Sequence, residues 1–127
     1  MGHHIGNELT SIYWTEHCNE LIYRITQLYP QNFAGVAQLP QTPGVKPTAC
    51  IAEIERCVNE FGFIGCNLNP DPSGGYWTDP PLGDSYWYPV YEKLVELKST
   101  QADCSWIKVD LNVLIDGLSS VEDGFAT

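Results

Sequence analysis

The stretch Phe63-Ile64-Gly65-Cys66-Asn67-Leu68-Asn69-Pro70-Asp71 decides how this chain folds. Its apolar half lacks clean apolar–polar alternation, so it reads as a short strand buried on both faces and closed by Pro70, which cannot continue a ladder. A second run of the same texture, Phe33-Ala34-Gly35-Val36-Ala37-Gln38-Leu39, stops at Pro40. About 30 residues separate the two strand starts, which matches a βαβ unit. The strands are therefore expected to be parallel, because a helix has to carry the chain back to the same end of the sheet.

Helices are expected around these strands. From Thr10 to Tyr29, Trp14, Cys18, Leu21, Ile22, Ile25 and Leu28 recur at steps of three and four, with Glu16, Glu20, Arg24 and Gln27 mostly opposite. Thr10 or Ser11 is suited to cap its start, Pro30 sets its end, and the apolar stripe is expected to cover the core. A loop from Pro40 to Pro47 leads to Thr48, which opens a second helix carrying Ile51, Ile54, Val58 and Phe61, with Gly62 placed to end it in the left-handed conformation. A long Gly/Pro loop from Asn69 to Asp84 precedes a third helix, Tyr86 to Lys98, with Tyr88, Tyr91, Leu94 and Val95 as its stripe. From Trp106 to Ile115 the residues alternate strictly, which predicts a strand wet on one face, able to pair beside the Phe63–Leu68 run. Residues 116–127 are polar and small and are expected to fray.

Composition narrows the class. A chain of 127 residues with 43% apolar and 17% charged residues has the apolar content for one folded domain rather than a disordered segment. Sixteen acidic against 6 basic residues, a net charge of −10, argue against nucleic acid or an anionic membrane as partner. The sequence has no apolar run of about 18 residues and no basic-then-apolar leader, so the expectation is a soluble, cytoplasmic protein. Five cysteines (Cys18, Cys50, Cys57, Cys66, Cys104) form an odd set without C-x-x-C spacing and are expected to be free, buried thiols.

Ligands of parallel α/β units gather at the C-terminal ends of the strands. Those ends are Gln38-Leu39-Pro40 and Asn67-Leu68-Asn69-Pro70-Asp71, the latter followed by Pro72-Ser73-Gly74-Gly75. Asn67 and Asn69 fall on one side of an extended strand, where two amides suit a carboxylate or oxyanion. The same Asn, Asp, Pro and Gly also suit a turn for purely conformational reasons. His4 offers a general acid/base or a pocket donor, though a histidine this near a chain end is equally suited to plain exposure. His17, beside Glu16, suits a solvated surface. Tyr76, Trp77, Tyr86, Trp87, Tyr88 and Tyr91 either wall a pocket or pack over the strand ends. H-x-H, H-E-x-x-H, G-x-S-x-G and G-x-G-x-x-G are all absent, so the chain by itself holds no metal, nucleophile-elbow or dinucleotide signature.

The block Glu53 to Gly75, with Phe33 to Gln41 and Trp87 to Leu97, resembles the amidohydrolase-related enzymes that include aminocarboxymuconate-semialdehyde decarboxylase, and within them the 4-oxalomesaconate hydratase branch. The resemblance covers roughly residues 1–98, and residues 99–127 read as a divergent tail of unknown role. It implies a partial (β/α)8 TIM-barrel segment, about two parallel strands and three helices plus a possible extra C-terminal strand. A whole barrel of this kind takes about 250 residues. The family is metal-dependent, with zinc or another divalent ion held by an H-x-H pair and a further histidine. The resemblance puts that pair before Met1 and the histidine just after Lys98, where this chain reads Ser99-Thr100-Gln101-Ala102-Asp103-Cys104-Ser105-Trp106. No cofactor is therefore expected on this chain itself. His4 would fall after the barrel's second strand, and Asn67, Asn69 and Asp71 at the end of the fourth, as substrate-binding residues orienting a small polycarboxylic acid.

These implications point to a segment of a hydratase that is inactive alone. A decarboxylase relative, and a non-catalytic α/β interaction module that self-associates through open sheet edges, are the alternatives.

Overall fold

The computed structural model of the chain describes residues 6–100 and Lys108–Val109. Three α-helices, α1 (Glu8–Leu28), α2 (Ile51–Asn59) and α3 (Tyr88–Thr100), surround short parallel strands β1 (Gly65–Cys66) and β2 (Lys108–Val109). Strand β2 pairs with β1 in parallel, Gly65 opposite Lys108 and Cys66 opposite Val109. On the other side of β1, Ala37 forms a parallel bridge with Cys66. Three backbone bonds build that contact: Ile64 N–H to Gly35 O at 3.0 Å, Ala37 N–H to Gly65 O at 2.9 Å and Asn67 N–H to Ala37 O at 2.8 Å. The expected parallel pairing is thus present, but with two-residue strands and a single bridge where two full strands were expected. Gly35 is demanded by packing, since a Cβ there would lie 2.3 Å from the Phe63 ring.

The core lies between these strands and α2 and α3. Ala37, Leu39, Cys66 and Leu68 from the strand runs meet Ile54, Cys57 and Val58 of α2 and Val90, Leu94 and Leu97 of α3. A 3-10 turn over Pro47–Cys50 leads into α2, which has no side-chain cap from Thr48. Gly62 adopts φ 68° and Phe63 N–H returns to Cys57 O at 3.0 Å, closing α2 as expected of a left-handed glycine stop. Helix α3 is preceded by a 3-10 turn, Ser85–Trp87, capped by Asp84. Its inward residues are Val90, Leu94 and Leu97, with Trp87 buried just before it, so the stripe is rotated from the expected one and leaves Tyr88 and Val95 exposed. Lys93 bridges Glu55 of α2 at 3.0 Å and its own neighbour Glu96 at 2.8 Å.

Helix α1 is rotated from its expected orientation, with Ile22 of the expected stripe still packed against the core. The buried residues are Ser11, Thr15 and Asn19, one turn apart, while Trp14, Leu21, Ile25 and Leu28 are exposed. A polar core layer explains the rotation. The Asn19 amide donates to Gln38 O at 3.0 Å and to Glu53 Oε1 at 2.7 Å, and its oxygen accepts from Gln38 N–H at 2.8 Å. Arg56 then holds Glu53 through two bonds of 2.9 and 2.8 Å and reaches Glu16 O and Glu20 on α1. Glu53 is buried, so a helix face that looks polar in sequence is the one that satisfies it. The start of α1 is capped by Asn7, whose side chain accepts from Thr10 N–H at 2.9 Å, rather than by Thr10 or Ser11.

Cys50, Cys57 and Cys66 are buried free thiols, and Cys18 is free and partly exposed. Burial pushes the thiols of Cys50 and Cys66 up to about 12 and raises Cys57 as well. Cys104, His4, the tail and the greater part of the expected Trp106–Ile115 strand lie outside the described residues.

Candidate functional site

The C-terminal ends of the two strand runs converge through one side chain, Gln41. It is buried, donates from its amide to Asn69 O at 3.0 Å, and accepts from Asn69 N–H at 2.7 Å. One side chain therefore replaces a rung of ladder at the point where Pro40 and Pro70 stop backbone pairing. Asn69 in turn accepts from Asp71 N–H at 3.0 Å through its side-chain oxygen, an Asx turn that bends the chain away from the strand.

Asp71 organises the loop that follows. Its carboxylate accepts from Ser73 N–H at 3.1 Å, from the Ser73 hydroxyl and from Gly75 N–H, with the Trp77 backbone N–H adding to the set. Slight burial pulls its pKa upward, but these hydrogen bonds outweigh it and hold the carboxyl below the ordinary aspartate value. Gly74 and Gly75 take φ 75° and 111°, and Trp77 takes φ 50°, a strained conformation for a bulky residue. The loop presents Tyr76 and Trp77 to solvent.

Asn67, Asn69 and Asp71 are thus brought to one strand end, with different surroundings. Asn67 is exposed on the face away from α2 and α3, Asn69 is half-buried beneath Gln41, and Asp71 is engaged by its own loop. His4 lies outside the described residues, and His17 is exposed on α1. The aromatic group divides: Trp87 is buried with its indole N–H on Pro80 O at 2.9 Å, Tyr86 and Tyr91 donate to Val45 O and Leu82 O, and Tyr76, Trp77 and Tyr88 are exposed. Asp79 accepts from Gly44 N–H at 3.1 Å, which ties the loop after β1 to the loop after Leu39.

Gln41 carries no sequence signal of its own, because a glutamine after proline has no periodicity to mark it. Its place at the neighbouring strand end, within the Phe33–Gln41 stretch that supports the family resemblance, was the available signal. The hydroxyls of Ser11, Thr15 and Thr42 are buried without a hydrogen-bond partner among the described residues.

A divalent metal does not fit these residues. Among the described residues no three His, Cys, Asp or Glu side chains come together as ligands. The Asp71 oxygens are spent on backbone donors, and the buried cysteines are held as neutral thiols. Among the described residues no helix is long and apolar enough to cross a membrane.

Parallel pairing and helices returning the chain define a parallel α/β segment with a polar strand-end rim. Residues 1–100 match the amidohydrolase family, and the chain belongs to it. It is 57% identical over 97 residues to a 2-keto-4-carboxy-3-hexenedioate hydratase of Sphingobium sp. strain SYK-6, covering 76% of this chain and 28% of that protein. The crystal structure of 4-oxalomesaconate hydratase from Rhodopseudomonas palustris superposes with a TM-score of 0.71 at 60% identity, over 73% of this chain and 28% of that one. The 2,6-dihydroxybenzoate decarboxylase of Rhizobium shares the fold, with a TM-score of 0.58 and 22% identity over 76% of this chain and 29% of its own. The chain therefore spans about 28% of the length of the hydratases it matches.

Proposed function

We propose that residues 1–98 form part of the active-site rim of an amidohydrolase-family hydratase whose substrate is an unsaturated oxo-polycarboxylic acid. The observation that carries the reading is the 57% identity over 97 residues to a hydratase, set against 22% identity to a decarboxylase of the same fold. In this reading the segment supplies consecutive βα steps of the family's (β/α)8 barrel in the cytoplasm, with residues 99–127 as a separate tail. His4, Asn67 and Asn69 orient substrate carboxylates, and Asp71 sets the loop around them. An anionic Asp71 repels a carboxylate, so its contribution is to shape the rim rather than to donate to the ligand. The metal and the proton-transfer groups belong to other segments of the full enzyme.

Segment exchange tests this. Residues 1–98 are placed in the Rhodopseudomonas hydratase in place of its matching segment, and hydration is followed by loss of the substrate's conjugated ultraviolet absorbance. Turnover within about tenfold of the parent is expected. A folded, metal-loaded chimera without turnover sinks the assignment. The 127-residue chain alone is expected to show no hydratase turnover and no one-to-one zinc by elemental analysis.

A further inference from the structure

Gln41 stands where the parallel ladder ends and takes both halves of the missing rung. The last rungs are Ala37 N–H to Gly65 O at 2.9 Å and Asn67 N–H to Ala37 O at 2.8 Å. Two residues further, a continued parallel pattern would carry the Asn69 N–H to Leu39 O. Instead the Gln41 N–H bonds Leu39 O at 2.9 Å, and Gln41 Oε1 accepts from the Asn69 N–H at 2.7 Å. Gln41 Nε2 donates back to Asn69 O at 3.0 Å, so a side chain only 4% exposed holds Asn69 by both backbone groups. This clamp needs a donor and an acceptor together at the end of two methylenes. Asparagine falls one methylene short, and an ionised glutamate has no donor.

The clamp also settles which part of Asn69 is free to act. Asn69 Oδ1 accepts from the Asp71 N–H at 3.0 Å, which fixes the flip of the side-chain amide. No described residue takes the Nδ2 hydrogens. What remains for a ligand is the donor end, which suits a carboxylate oxygen. We propose that Gln41 is a positioning residue of the rim, acting through Asn69 to aim Nδ2 at one carboxylate of the substrate. The substrate half of this proposal rests on the hydratase reading above. Gln41 does not itself meet the substrate, because both ends of its amide are engaged by Asn69. A bond that only holds a substrate carboxylate is made alike in ground and transition states, so its loss falls on KM rather than kcat.

The chimeric Rhodopseudomonas hydratase carrying residues 1–98 tests the substrate half. Gln41→Met is expected to raise KM about tenfold with kcat within about threefold. Asn69→Ala is expected to raise KM by a similar factor, and the double variant no further than the larger single effect. Effects that multiply in the double variant, or an unchanged KM in Gln41→Met, overturn the proposal. Nitrogen-15 relaxation of the 127-residue chain tests the clamp without turnover. Gln41→Met is expected to lower the order parameters of the Asn69 and Asp71 amides from about 0.85 toward about 0.6, with Ala37 unchanged. An Asn69 amide as rigid as in the wild type overturns the clamp, whatever the chimera does. If the parent chimera lacks turnover while Asn69 is released as expected, the hydratase reading and the substrate half fall and the clamp stands. Gln41→Asn, which keeps an amide but falls short of Asn69, takes the place of Gln41→Met if that variant does not fold.

Discussion

Gln41 satisfies both backbone groups of Asn69, so the rim stands on a single neutral side chain. Gln41→Leu leaves a buried N–H and C=O without partners and is expected to cost about 2–3 kcal/mol, measured by urea unfolding. Gln41→Glu sets a carboxylate oxygen against Asn69 O in a buried place, so a loss at least as large is expected at neutral pH, easing as the carboxyl is protonated. Asp71→Ala removes the acceptor for Ser73, Gly75 and Trp77. Its expected outcome is rapid proteolytic nicking between Ser73 and Trp77 with little change in the unfolding midpoint, because the loop is exposed. Unchanged nicking would show that the carboxylate does not hold the loop. At this scale Asn67, Asn69 and Asp71 were legible as a polar strand end, since Pro70 and the glycines mark the stop. The division of labour among them was not legible, because it depends on which oxygen the following loop folds back to meet.

Among the elements, α1 is where periodicity identifies the helix but misassigns its face. Its limits are within two residues of the expected ones, Glu8–Leu28 against Thr10–Tyr29, because Asn7 and Pro30 act on the backbone locally. The inward face depends on Glu53 and Arg56, 34 or more residues away, and no helical period in α1 carries that information. Asn7→Ala is expected to cost about 1 kcal/mol of stability through loss of the cap. Glu53→Ala removes one of the two acceptors of the Asn19 amide and leaves Arg56 without its main partner, with an expected loss of about 2–4 kcal/mol, the lower figure reflecting the partial exposure of Arg56. A loss below about 1 kcal/mol would mean the network is not what turns Asn19 inward. In α3 the sequence marks the helix but not its whole inner face, which is Val90, Leu94 and Leu97 after the 3-10 turn over Ser85–Trp87.

Over the whole molecule, the parallel order of the strand runs was legible because chain connectivity demands it. The shortness of the pairing was not, because the Phe63 N–H is taken by Cys57 O at the end of α2 and Gln41 takes over the Asn69 backbone groups beyond the strand. The three buried thiols make a global prediction about pH. An unfolded thiol ionises near ~8.5, whereas burial holds Cys50 and Cys66 up to about 12. Between those values the folded chain binds more protons than the unfolded one, so stability falls as pH rises, and it is unaffected by these groups below about 8. Thermal melts are expected to drop steadily from about pH 9 to 12, with a shallower slope in Cys66→Ala. A flat profile across that window would contradict the burial of these thiols.

The Asn19 side chain also changes how one backbone position behaves in time. Gln38 lies at the rim of the paired region, where an amide ordinarily trades its proton with water quickly. Bonded to Asn19 on its N–H and C=O, and through Asn19 to Glu53, that amide opens only when α1 lifts away. Its deuterium uptake therefore follows the opening of an entire helix, and Gln38 becomes a one-residue clock for the docking of α1.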